Sequence, residues 1–150
     1  MTFNLSQRSL DRLVGVDASL IETVKKAITL TRVDFGVVQG MRTVEEQRRL
    51  VARGASKTMA SKHLVGRAVD LMAYIDGRAS WELNLYDDVA DAMKAAAAET
   101  GVKLRWGAAW QIDDISEWGG TMEQAMTAYI DLRRSQGRRP FIDGPHFELR

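Results

Sequence analysis

The chain has 150 residues, 45% of them hydrophobic, and a formal net charge of +1. A chain of that length buries about two-thirds of its unfolded surface in one core, so one domain spanning residues 1–150 is expected without a disulfide framework. The absence of cysteine excludes disulfides, thiolate metal sites and cysteine nucleophiles, and the near-balanced charge argues against a general nucleic-acid binder.

The first residues, up to Arg8, show no basic stretch followed by an apolar one, and no later segment approaches a membrane span. Neither a secretory signal nor membrane insertion is therefore expected. Leu20, Ile21, Val24, Ala27 and Ile28 repeat at helical spacing, and Val33 to Val38 then reads as a strand that delivers Arg42 just beyond its end. Thr43 and Glu46 form a capping-box pattern for a helix stopped at Gly54, and residues 55–60 read as a polar loop. An apolar run from Ala68 to Ala73, broken only by Asp70, predicts a strand. Tyr86, Val89, Met93 and Ala96 mark a long helix closed by Gly101, and Lys103 to Trp106 a short strand. Asp113, Asp114 and Glu117 read as a solvated acidic loop. Thr121 with Gln124 caps a further helix, with Met122, Met126, Tyr129 and Ile130 on its buried face and Gly137 at its stop. The arginines at 133, 134, 138 and 139 read as a solvated helix end. Phe147, Glu148 and Leu149 alternate as a strand does. Helices mixed with short strands that do not alternate with them predict an α+β domain with a small, mainly antiparallel sheet.

The chain's two histidines are His63 and His146. A single histidine usually has no special duty. Here, however, Asp70 interrupts an apolar strand shortly after His63, and a carboxylate in such a strand is costly unless something positive meets it. Two imidazoles and a carboxylate suffice for a zinc ion that keeps one position open for water. Asp143, three residues before His146, is either the cap of the Gly144-Pro145 turn or a carrier of that water's proton. Glu148 is an alternative base. Arg42 could form a surface ion pair with Glu45 or Glu46, or serve the site with its bidentate guanidinium. Ser61 either shapes the turn before His63 or bonds substrate, and Trp106 and Trp110 are candidates for core or cleft wall.

The run Ser61-Lys62-His63, with Asp70 seven residues after the histidine, and the late Asp143-Gly144-Pro145-His146 resemble the zinc peptidases of the D-alanyl-D-alanine carboxypeptidase and dipeptidase superfamily, which has a Hedgehog-like fold. Within it, the chain is most similar to the L-alanyl-D-glutamate peptidases used as bacteriophage endolysins. Gly40-Met41-Arg42-Thr43 with Glu46-Gln47 resembles that group's Gly-x-Arg-Thr-x-x-Glu-Gln block, and Trp106-Gly107-Ala108-Ala109-Trp110 resembles its Trp-Gly-Gly-Asp-Trp block. Ala108 and Ala109 depart from the pattern, and residues 111–139 form an unusually long insertion.

The resemblance implies His63, Asp70 and His146 as Zn2+ ligands, Asp143 as the catalytic acid and base, and Arg42 as both a catalytic and a substrate-binding group. Ser61 and Trp106 join it as substrate contacts. The implied substrate is peptidoglycan, cut between L-Ala and D-Glu, with D-Ala-D-Ala carboxypeptidase or dipeptidase action, or an inactive wall-binding domain, as alternatives. The small residues Gly107, Ala108 and Ala109 are expected to leave room for a passing peptide. A monomer is expected, made in the host cytoplasm and released to the wall by a holin-type route.

Overall fold

Five short strands and five helices, described over residues 2–150 of a computed structural model, arrange themselves around one apolar cluster. The antiparallel sheet runs β1 (Asp34–Gln39), β2 (Ala68–Ile75), β5 (His146–Leu149), β4 (Leu104–Trp106), with β3 (Arg78–Ser80) beside the far end of β2. One edge of β2 is thus shared between β5 and β3, and the other is taken by β1.

Strand alternation assigns the two faces. Phe35 and Val37, Val69, Leu71 and Ala73, Leu104 and Trp106, and Phe147 and Leu149 all point to the core. Helices α2 (Ala18–Leu30), α4 (Leu83–Thr100) and α5 (Met122–Ser135) supply the opposing apolar surface. Several of their ends fall where the sequence supplies a capping residue. Asp17 caps α2 through the Ser19 amide, Gly101 closes α4 in a left-handed conformation, and Thr121 and Gln124 complete a reciprocal capping box on α5.

The predicted α+β class, the three long helices and four of the strands agree with this architecture. The insertion at 111–139 becomes a 3-10 turn (Ile115–Glu117) and α5, and two of its three loop acids have partners. Asp114 caps that turn, and Asp113 pairs with Arg150 at 3.5 Å. Two elements escaped the sequence reading. Helix α1 (Gln7–Arg12) covers the free edge of β1, where Ser9 Oγ accepts from the Val37 amide at 2.9 Å and Arg12 donates to the Val37 carbonyl at 3.0 Å. The β2–β3 hairpin turns through Asp76 (φ 51°) and Gly77 (φ 77°), an Asp-Gly pair that is itself the signal for such a turn.

Candidate metal centre

The opposite face of the sheet carries the chemistry. Register places Asp70 of β2 directly across from His146 of β5, and Gln39, the last residue of β1, across from Asp70 on the other side. Two residues 76 positions apart thereby become neighbours, with His146 Nδ1 3.1 Å from Asp70 Oδ1. His63 comes from a 3-10 turn (Lys62–Val65) that Ser61 caps by accepting from the His63 amide, and that Gly66 ends at φ 70°. Its Nε2 lies 3.3 Å from the same Asp70 oxygen. One nitrogen of each imidazole and one carboxylate oxygen fall within 4.8 Å of one another.

The remaining ring nitrogens are both occupied, and this determines which ones can face a metal. His63 Nδ1 donates to the Gly40 carbonyl at 2.8 Å, and His146 Nε2 donates to Glu148 Oε1 at 2.8 Å. Lys62 lies 3.4 Å from the other oxygen of Glu148. Glu148 is therefore a positioning group for His146, its carboxylate already committed, and the alternative-base reading loses its ground. Two imidazoles and a carboxylate converging in this way fit a divalent metal ion with room for a further ligand.

Two glycines make the approach possible. A Cβ on Gly40 would lie 2.2 Å from the Arg12 carbonyl oxygen, and one on Gly107 would lie 2.3 Å from the Asp143 carbonyl oxygen. Gly107 ties the site together, since its amide donates to the His146 carbonyl at 2.8 Å and its own carbonyl accepts from the Asp143 amide at 2.7 Å.

The electrostatics follow from these contacts. Burial acts to raise the Asp70 pKa, but hydrogen bonds from His146 and His63 outweigh it and hold the carboxyl well below the usual range. For His146, burial opposes the charge, and the bonds to Asp70 and Glu148 prevail, pushing the imidazole up to about 9. Asp143 is raised, first by burial and then by the nearby Asp70 charge, against the pull of His146, His63 and Arg42.

Arg42 is only 8% exposed and makes no ion pair with Glu45 or Glu46. Its Nη1 donates to Gln47 Oε1 at 2.6 Å, its Nη2 lies 3.7 Å from Asp70 Oδ2, and its Nε has no acceptor among the described residues. Gln47 is the one fully buried side chain of α3 (Val44–Ala52), so the interior contact of that helix is polar. In the sequence Gln47 stands only as the last residue of the Glu46-Gln47 motif. A glutamine at the position of α3 that faces inward was the available signal.

Two expectations are corrected. Trp106 is 0% exposed, donates to the Gly144 carbonyl at 2.7 Å and stacks on Phe147, so it braces the Asp143 loop from the core and offers substrate no surface. Ala108 and Ala109 are fully buried and leave no opening for a peptide. Ser61 Oγ accepts from the His63 amide at 3.2 Å and so shapes the His63 turn, the first of the two uses expected for it. Trp110, in contrast, does wall the cleft, with its ring centroid 5.6 Å from that of His146.

The sequence profile of the phage L-alanyl-D-glutamate peptidases matches residues 1–150. The chain belongs to this family. It is 36% identical over 114 residues to an L-alanyl-D-glutamate peptidase of Escherichia phage T5, covering 73% of the chain and 83% of that relative. The crystal structure of the Serratia marcescens L-Ala D-Glu endopeptidase ChiX superposes with a TM-score of 0.71 at 32% identity, covering all of the chain and 90% of ChiX.

Proposed function

We propose that this family member hydrolyses the L-Ala-D-Glu bond of peptidoglycan as a single-zinc peptidase, with His63 Nε2, Asp70 Oδ1 and His146 Nδ1 as the protein ligands. The observation that carries this reading is the convergence of those three donors within 4.8 Å, with the far side of each imidazole already tied to Gly40 or Glu148. The two imidazole nitrogens in the donor set favour zinc over the alkaline-earth ions, which take oxygen ligands.

When bound, such an ion acidifies a water and polarises a carbonyl. The protein's own residues then have separable tasks. Asp143, enclosed and raised in pKa, takes a proton from the attacking water and passes it to the amine of D-Glu as the bond breaks. Arg42, fixed by Gln47 and Asp70, presents a buried Nε–H that still lacks an acceptor, suited to the oxygen on which charge develops. Glu148 holds the His146 ring and Trp110 shields one side of the cleft.

No helix among the described residues is long and apolar enough to cross a membrane. The phage peptidase family supports action on the cell wall, which we propose the enzyme reaches as a monomer after holin-type release from the host cytoplasm. Mass spectrometry of digested peptidoglycan tests the bond assignment. Stem peptides that begin with D-Glu, released only without chelator, are expected. Release of free D-Ala with stems still on the glycan would instead identify a carboxypeptidase, and wall binding without any released peptide an inactive domain.

A further inference from the structure

One wall of the cleft is left unused by the chemistry above. Phe141 is 45% exposed and stacks on Trp110 at 6.2 Å between ring centroids, extending the aromatic surface that begins beside His146. Lys57 Nζ lies 4.7 Å above the centre of the Phe141 ring. The lysine is held in place from the opposite wall. Gln47, the residue that fixes Arg42, also donates through Nε2 to Ser56 Oγ at 2.8 Å and to the Thr58 carbonyl at 2.5 Å, the two neighbours of Lys57 in the chain. Lys57 thus sits where the Arg42 side and the Trp110 side of the site meet.

Its charge is available. Among the cations around the site, Arg42 is engaged by Gln47 and Asp70, Lys62 by Glu148 and the Leu149 carbonyl, and Arg105 by the Trp110 carbonyl. Lys57 meets no carboxylate within 4 Å among the described residues, only the face of Phe141, a weak contact that an anion readily displaces. Phe141 stands two residues before Asp143, at most about 7 Å of backbone, and a lysine stem spans a similar length.

We propose that Lys57 is a specificity-determining residue that binds the α-carboxylate of the D-Glu whose nitrogen departs. This rests on the L-Ala-D-Glu reading. In that substrate the carbon bearing the scissile nitrogen also bears a free carboxylate, so the leaving side carries an anion immediately beside the reacting bond. Arg42 does not answer it, because its buried guanidinium is anchored by Gln47 and Asp70 and its unpartnered Nε–H is the donor assigned above to the developing oxyanion.

The test uses two synthetic muropeptides that differ only at this group, one with the free carboxylate and one with its carboxamide, against the wild-type zinc enzyme, Lys57→Gln and Lys57→Arg. For wild type, KM is expected to be about tenfold lower for the carboxylate form at similar kcat, the effect of one charge-assisted hydrogen bond. Lys57→Gln should bring the two KM values to within about twofold, as expected once only diffuse surface charge remains, and Lys57→Arg should keep most of the preference. An unchanged preference in Lys57→Gln, with normal wild-type cleavage, overturns this proposal alone. No cleavage of either compound by wild type overturns the L-Ala-D-Glu reading and this proposal with it.

Discussion

Asp70 lies between two imidazoles on the open face of the sheet, whereas Asp87 lies on α4 with its Oδ1 out of reach of any donor among the described residues. Asp87 is the less solvent-exposed of the two, at 7%, and lies near the charges of Glu123, Asp91 and Asp88. Burial and those like charges push its pKa up to about 7, while the histidines keep Asp70 ionised at any ordinary pH. Enclosure alone does not make a carboxylate a ligand. Partners decide whether it stays charged, and a charged, partly enclosed carboxylate beside two imidazoles is what a metal can use.

The largest effect expected on this comparison is removal of a donor. His63→Ala, Asp70→Ala and His146→Ala should each hold far less than one zinc per chain by elemental analysis and show no lytic activity. Full zinc in all three would dismantle the proposed centre. Asp143→Ala separates chemistry from binding, since it should keep zinc and fold yet lose turnover by a factor of about 10² or more. Arg42→Lys should also be impaired, because a point charge cannot replace a guanidinium that contacts Gln47 and Asp70 together.

Weakening a partner without removing a donor should have a smaller effect. Glu148→Gln leaves all three ligands in place but loosens the His146 ring, and zinc affinity should fall by about 10- to 100-fold in competition with a chelator. The proton balance sharpens this. In the metal-free protein the folded His146 titrates near 9 against an ordinary 6.5, so its contribution to stability is complete below pH 6.5 and lost as pH rises through 9. Thermal denaturation of the metal-free protein should register that loss. Zinc binding at pH 7.5 should release about one proton, measurable by calorimetry in two buffers of different ionisation enthalpy.

Asp87→Asn should have the mildest consequence, and with the opposite sign. An unfolded Asp87 gives up its proton near the ordinary 3.8 and the folded one near 7, so between those values the folded state holds a proton that the unfolded state has lost, and stability falls as pH rises. The amide removes that cost. Denaturant unfolding should show a gain of about 1–2 kcal/mol at pH 8, shrinking toward pH 5, with catalysis unaltered. A variant less stable than wild type at pH 8 would mean that the carboxylate has a partner in solution.

What the sequence determined by itself was local or periodic. Helical spacing located α2, α4 and α5, capping residues marked their ends, and an acid inside an apolar strand singled out Asp70 before any contact was known. His63, His146 and Asp143 were legible because their residue types are scarce or sit in short motifs. The tertiary structure decided everything that depends on register and on the second partner of each side chain. Pairing of β2 with β5 makes Asp70 and His146 neighbours across 76 residues, and the same alternation turns Glu148 from a possible base into the brace of His146. It also sends Trp106 into the core while Trp110, four residues on, lines the cleft, a division that composition cannot express. Lys57 gave no sequence signal at all, since a lysine in a polar loop acquires meaning only when Gln47 pins the residues on either side of it and Phe141 comes to lie beneath it. Spacing along the chain can propose which groups have chemistry to offer, but the direction in which each group points, and the partner that already claims it, are set by long-range packing.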